Sequence, residues 1–141
     1  MFESKIVLDS IKLSVTLPVE PKKVYNAWLS SKKHSAFTKS EAHIEKKVGS
    51  TFTAGEGYIS GTTELLHMNK RIVQTWRTTD FTEEDKDSTL EISFENVEKG
   101  TKVSIVHTDL PKDSGNKYKK GWRDNYFKPM KEYFVVQEEV K

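Results

Sequence analysis

Cysteine is absent from the 141 residues, which excludes disulfides, thiolate metal sites and a cysteine nucleophile, and with them the usual hallmark of small secreted folds. A reducing, cytoplasmic setting is the expectation. No window approaches the roughly eighteen apolar residues of a membrane span, and the start, Met1-Phe2-Glu3-Ser4-Lys5-Ile6, has neither a long uncharged apolar core nor a small-residue cleavage site. The chain reads as soluble and unprocessed. Charge of one sign is also missing: 23 basic and 21 acidic residues, mostly interspersed, leave a formal charge of +2, so no general attraction to nucleic acid or to a membrane surface is implied. The four histidines, His34, His43, His67 and His107, show no metal-ligand spacing, and no His-Glu-x-x-His, Walker or nucleophile-elbow pattern occurs. Gly55-Glu56-Gly57 followed by Gly61 has the wrong final spacing for a dinucleotide fingerprint, and no helical pattern follows it. No metal, cofactor or enzymatic constellation is expected.

What is present is an apolar pattern that changes period along the chain. Residues 1–141 form a single domain by the usual size prior, enough to bury about two-thirds of the unfolded surface. Ile11, Leu13, Val15 and Leu17 alternate with polar residues, the period of a strand with one buried face, and Pro18 ends it. Helical spacing follows from Val19 to Leu29, with Pro21 suited to a first turn and Val24, Tyr25, Trp28 and Leu29 on one face; a short second helix is expected near Ser31 to Phe37. From Glu41 to Asp109 the text is strand-like, broken by turn signals at Gly49-Ser50, Gly55-Glu56-Gly57, Met68-Asn69-Lys70, Glu83 to Asp87 and Glu98-Lys99-Gly100, which makes five or six further strands.

The run from Gly121 to Phe134 is the richest stretch. Trp122, Tyr126, Phe127, Met130, Tyr133 and Phe134 fall within an arc of roughly 140° on an ideal helix, wide enough to cover a curved sheet. Pro129 predicts a kink that lets the helix follow the sheet, or two shorter helices in its place; Gly121 suggests close approach to sheet backbone. Strands bracketed by helices give an α+β domain, with the meander curling around the terminal helix.

The Gly-Trp-x-x-x-Tyr-Phe-x-Pro-Met-Lys run at Gly121 to Lys131 resembles the C-terminal domain of the activators of heat shock protein 90 ATPase. Seven further pieces stand in the family's order: Phe37-Thr38-x-Ser40-x-Ala42, Gly49-x-x-Phe52, Ile59-Ser60-Gly61, Ile72-Val73-Gln74-x-Trp76-Arg77, Ser88-Thr89-Leu90, Gly100-Thr101-Lys102 and Leu110-Pro111. Together they cover about residues 10 to 134. The resemblance implies a helix-grip fold of the START-like, birch-pollen-allergen-like superfamily: a curved antiparallel sheet of six or seven strands wrapped around a long C-terminal helix, with two short helices after the first strand. It also implies a co-chaperone that binds a heat shock protein 90 homologue and stimulates its ATPase, although nothing in this chain resembles the N-terminal domain of the full-length activators.

Strand alternation assigns the gripping face to Ile72, Gln74 and Trp76, to Leu90, Ile92 and Phe94, and to Val103, Ile105 and His107. Gln74 and His107 then point inward and must be hydrogen-bonded, either within the core or to a ligand held in a cavity. By ideal helical phase Arg123 lies between Met130 and Phe134, inside the apolar arc; it either snorkels to the rim or meets Glu64, Asp109 or an anionic ligand head group. Candidate cavity residues are Trp28, Phe37, Phe52, Gln74, Trp76, Phe94, His107, Trp122, Arg123, Tyr126 and Met130, and the Gly55-to-Tyr58 turn either gates the mouth or is a plain hairpin turn. Lys117, Lys119 and Lys120, with Arg123, form a basic flank that is either a solvated helix edge or a dock for an acidic protein surface. The expected function is non-enzymatic binding of a small apolar or amphipathic molecule between sheet and helix; the co-chaperone role is the alternative and catalysis on a small substrate the third.

Overall fold

The alternating stretch near the N-terminus forms strand β1, Asp9–Leu17, and its partner comes from the far end of the meander. The computed structural model describes residues 7–139; the stretch Met1 to Ile6 lies outside them. Two short helices follow β1, α1 at Pro21–Trp28 and α2 at Ser31–Thr38. Five strands come next: β2 (Thr51–Ala54), β3 (Ile59–His67), β4 (Arg71–Thr78), β5 (Ser88–Val97) and β6 (Gly100–Leu110). The six strands form one antiparallel sheet in the order β1-β6-β5-β4-β3-β2. A continuous helical run closes the fold: α3 (Gly115–Gly121), a π-helical segment (Trp122–Phe127) and α4 (Lys128–Glu139). No described helix is long and apolar enough to cross a membrane.

Glu41 to Val48, read from sequence as strand-like, is not a strand; it makes a single isolated bridge, His43 to Thr53. Side chains of α2 supply the pairing instead. Ser31 Oγ donates to the Ile44 carbonyl at 3.0 Å and accepts from the Ile44 N–H at 2.8 Å, and Ser35 Oγ does the same for Ala42 at 3.3 and 2.9 Å. Each hydroxyl thus replaces one rung of a sheet ladder. α2 itself begins at Ser30, whose side chain accepts from the Lys33 N–H, and ends at Lys39 in the left-handed region with φ 58°.

The three alternations bury the faces assigned to them: Ile72, Gln74, Trp76, Leu90, Ile92, Phe94, Val103, Ile105 and His107 are all buried. Register shifts between Thr63 and Leu65 and between Asp9 and Ile11 bend the outer strands. Close backbone approach occurs at Gly61, not at Gly121 as expected. A Cβ on Gly61 would overlap the Thr75 carbonyl and lie 2.8 Å from Phe52 Cε1, whereas one on Gly121 would meet only Asn125 Nδ2 at 3.9 Å.

The irregularity predicted at Pro129 lies just before it. The Lys128 N–H bonds to the Arg123 carbonyl, five residues back, so the ladder has widened before the proline is reached. Pro129 then interrupts a helix whose bonding has already shifted, and the carbonyls it leaves without a donor lie on the exposed Asp124–Asn125 side. The wide turn also changes helical phase. Each residue advances by less than the 100° of an α-helix, so Trp122, Tyr126, Phe127, Met130 and Phe134 gather into a narrower buried face and Arg123 falls off it. Arg123 is exposed, and among the described residues its side chain bonds neither Glu64 nor Asp109. Its inward placement is corrected on that ground.

Two glycine substitutions should separate in sign. Gly61→Ala is expected to cost more than about 3 kcal/mol or to prevent folding, through overlap with backbone that cannot move alone. Gly121→Ala, at helical φ, is expected to stabilise by up to about 1 kcal/mol. Urea unfolding of the two variants beside the parent checks both; equal effects would contradict the packing.

Candidate functional site

Three aromatic residues of the terminal helix, four apart, carry polar tips, and each tip is bonded to a different element. The Tyr118 hydroxyl lies 2.8 Å from Thr78 Oγ1 on β4. Trp122 Nε1–H donates to His107 Nδ1 on β6 at 3.1 Å, and the Tyr126 hydroxyl lies 2.8 Å from His34 Nε2 on α2. These bonds fix the histidine tautomers. His34 Nδ1 faces the Trp28 carbonyl at 2.8 Å and must donate, so Nε2 accepts from the tyrosine. His107 Nδ1 accepts from Trp122, so Nε2 carries the proton and donates to Ser88 Oγ at 2.8 Å, while Ser88 donates to the Trp76 carbonyl at 2.6 Å. This buried Ser–His pair runs opposite to a nucleophile and its base, because the histidine gives its proton to the serine. Burial holds the His107 pKa down to about 3. His34 is lowered to about 4 by burial, opposed by its bond to the Trp28 carbonyl, and burial raises the Tyr126 hydroxyl above its ordinary value.

Gln74 is satisfied in the core, accepting from Trp28 Nε1 at 3.4 Å and donating to Thr63 Oγ1 at 3.1 Å. The space between sheet and helix is largely filled. Trp28 stacks on Trp122 with centroids 6.1 Å apart and lies 5.1 Å from Tyr126 and 6.2 Å from Phe37, and Met130 is fully buried. Phe94 packs edge-on against Tyr25 at 5.8 Å, far along the sheet, while Phe52 lies over Gly61.

Open space lies at one end of the grip, in a pocket of about 330 Å³. Its floor is Trp76 and Ile59 from the sheet; the helix supplies Tyr118, Gly121, Trp122, Asn125 and Tyr126; Thr38 and Ser40 come from the end of α2, and Gly55 and Tyr58 from the β2–β3 turn. None of the lining residues is charged. Asp80 Oδ2 accepts from the hydroxyl of the wall's Tyr58 at 2.6 Å and from Lys117, and those two bonds, Lys117 first, hold the carboxyl below its usual range. Of the predicted cavity residues, the structure brings Trp76, Trp122 and Tyr126 to the pocket wall. It places Trp28, Phe37, Phe52, Gln74, Phe94, His107 and Met130 in the packed interior and Arg123 outside.

Three polar side chains of the wall, Ser40, Asn125 and Trp76, have no side-chain partner among the described residues, and of these only Trp76 is buried. Trp28 and Trp122 donate their indole N–H groups inside the core, but Trp76 Nε1 has no partner among the described residues. No fully buried side-chain nitrogen or oxygen goes unpaired there. The Trp76 N–H therefore keeps access to open space although the residue is only 4% exposed, and Trp76 is a residue of this pocket's wall. Sequence reasoning missed Tyr118, Asn125 and the Tyr58–Asp80–Lys117 cluster. Tyr118 was legible, for it extends the four-residue row of Trp122, Tyr126, Met130 and Phe134 by one step; the cluster joins residues 22 and 37 positions apart and left no local signal.

A six-stranded antiparallel sheet closed on a long terminal helix, with a small apolar pocket at its open end, defines a helix-grip domain of the START-like class. The chain belongs to the family described as "Activator of Hsp90 ATPase homolog 1-like protein", whose profile matches residues 18–135. It is 30% identical over 137 residues to the activator of 90 kDa heat shock protein ATPase homolog of Dictyostelium discoideum, covering 96% of this chain and 36% of that protein. Among solved structures, an HSP90 activator from Plasmodium falciparum superposes with TM-score 0.73 at 26% identity, covering 93% of this chain and 94% of that one. The Aha1 dimer from Colwellia psychrerythraea shares the fold at TM-score 0.75 and 17% identity, covering 90% and 96%. The chain spans little more than a third of the length of the curated relatives it matches.

The buried histidines make stability depend on pH. Both folded pKa values lie below the unfolded value of about 6.5, so the stabilisation is complete above pH 6.5 and is lost as pH falls toward 4 and 3. Below about pH 6 stability should fall by roughly 1.4 kcal/mol per pH unit for each histidine. Urea titrations at about pH 7.5, 5.5 and 4.5 test this; a flat profile would contradict the neutral assignments.

Proposed function

We propose that the chain binds a heat shock protein 90 homologue and stimulates its ATPase. One observation carries this reading: the likeness to the Plasmodium falciparum HSP90 activator runs above 25% identity and takes in nearly all of both chains, so a domain of this extent bears that description elsewhere. The basic flank is suited to such a contact. Lys117 is paired with Asp80 and Lys120 with Asp124, both exposed pairs, while Arg123 stands exposed beside them. Exposed pairs contribute only about 0–1 kcal/mol, so a partner's carboxylates exchange with Asp80 and Asp124 at little cost.

A second reading is favoured by the pocket. At about 330 Å³ it sits at the lower end of the range of about 300–1,000 Å³ typical of small-molecule sites, and its uncharged, largely aromatic wall suits a small apolar or amphipathic ligand. Both readings are non-enzymatic, and both fit the reducing cytoplasm that a cysteine-free chain suggests.

The first reading predicts that added chain raises the ATPase rate of the chaperone from the same cell in a saturable manner, and that co-precipitation is weaker at high salt. Arg123→Glu combined with Lys119→Glu should slow association most at low salt. Absence of binding at low salt would end this reading.

A further inference from the structure

We infer that the pocket takes an uncharged aromatic molecule carrying a carbonyl-type oxygen, and that the Trp76 indole N–H is the donor that orients it. This deepens the pocket reading above and rests on it. Three observations converge. First, the wall holds no charged side chain, so a carboxylate or ammonium entering it would lose hydration with no opposite charge to receive it. Second, the wall is built from ring faces and edges. Trp76 and Trp122 lie 5.6 Å apart at 37°, Tyr118 stands 5.2 Å from Trp76 at 88°, and Gly55 and Gly121 add no side chain to the wall. A flat ring laid against them meets edges and faces of the kind aromatic pairs prefer.

The third observation supplies the polar half of the ligand. The polar tips of the wall's other rings are already committed: Tyr118 to Thr78, Trp122 to His107, Tyr126 to His34 and Tyr58 to Asp80. Thr38 Oγ1 is spent on the His34 and Ser40 carbonyls, while the Ser40 and Asn125 side chains, also without partners among the described residues, are not buried. The Trp76 N–H alone among the indoles is left without an acceptor, on a residue otherwise buried. An indole nitrogen only donates, so the group it selects is an acceptor oxygen. A few placed polar groups in an apolar wall are what orient ligands in such sites.

The test uses the wild-type chain and three probes of one shape: 2-acetylnaphthalene, 2-ethylnaphthalene and 2-naphthoate, titrated while the indole ¹H–¹⁵N signals are followed. The chain has three tryptophans, and two of their indoles are held by internal bonds. The ketone should bind roughly three- to tenfold more tightly than the hydrocarbon and move the Trp76 indole proton downfield, with Trp28 and Trp122 shifting less. Trp76→Phe assigns the signal and should erase the preference for the ketone, while Gly121→Leu should block both neutral probes. Equal affinity of ketone and hydrocarbon with an unmoved Trp76 signal would overturn the donor assignment and leave the pocket reading standing. Preference for the carboxylate would overturn the uncharged class. Binding of none of the probes would overturn the pocket reading and this inference together. The wild-type titrations decide among these results even if a variant fails to fold.

Discussion

The helix is registered on the sheet by a requirement that three buried polar tips be satisfied together. Tyr118, Trp122 and Tyr126 each bury a ring and each must find a partner for a hydroxyl or N–H, and the partners sit on β4, β6 and α2. A shift that parts the tips from these partners costs about 1–3 kcal/mol for each orphaned group. Apolar packing alone does not specify register so sharply, because one aromatic face slides past another with modest loss. The Trp122 bond demands a neutral His107, since a proton on its Nδ1 would face the N–H of Trp122, while His34 is kept neutral by burial. Register, tautomer and burial are therefore one constraint.

Period made the architecture legible. Alternation in β4, β5 and β6 identified the gripping face residue by residue, because a two-residue period leaves no choice once one face is known to be apolar. The terminal helix was recognisable for the same reason. Arg123 was misplaced because the ideal 100° step does not hold where the ladder closes five residues back. The row Tyr118, Trp122, Tyr126, Met130 and Phe134 repeats every four residues, longer than the 3.6 of a regular helix, and that excess is the trace the wide turn leaves in sequence. Glu41 to Val48 misled in the opposite way: its pairing partners are serine hydroxyls of α2, which no periodicity records.

The candidate site was half legible. Aromatic residues on the helix and on β4 were expected to form walls, and three of them do, but most of the others interlock until no room is left. Whether a side chain lines space or fills it depends on the fit among residues distant in sequence, such as Trp28 and Trp122. Family likeness adds to this a partner drawn from other proteins' descriptions, while the small pocket and its unspent donor belong to this chain's own geometry. The two readings occupy different surfaces: one concerns the basic outer flank of the helix, the other its buried edge.

The widened turn has a consequence for how this stretch tolerates change. A turn closing five residues back holds one residue more than the α-turn it replaces. Deleting one residue between Trp122 and Phe127 would let the turn close four residues back with Met130 and Phe134 still in phase with Tyr118, because the wide turn absorbs one residue of advance. The six residues are thus one more than the helix needs to keep its face. The residue removed cannot be Trp122 or Tyr126, whose tips are bonded to His107 and His34.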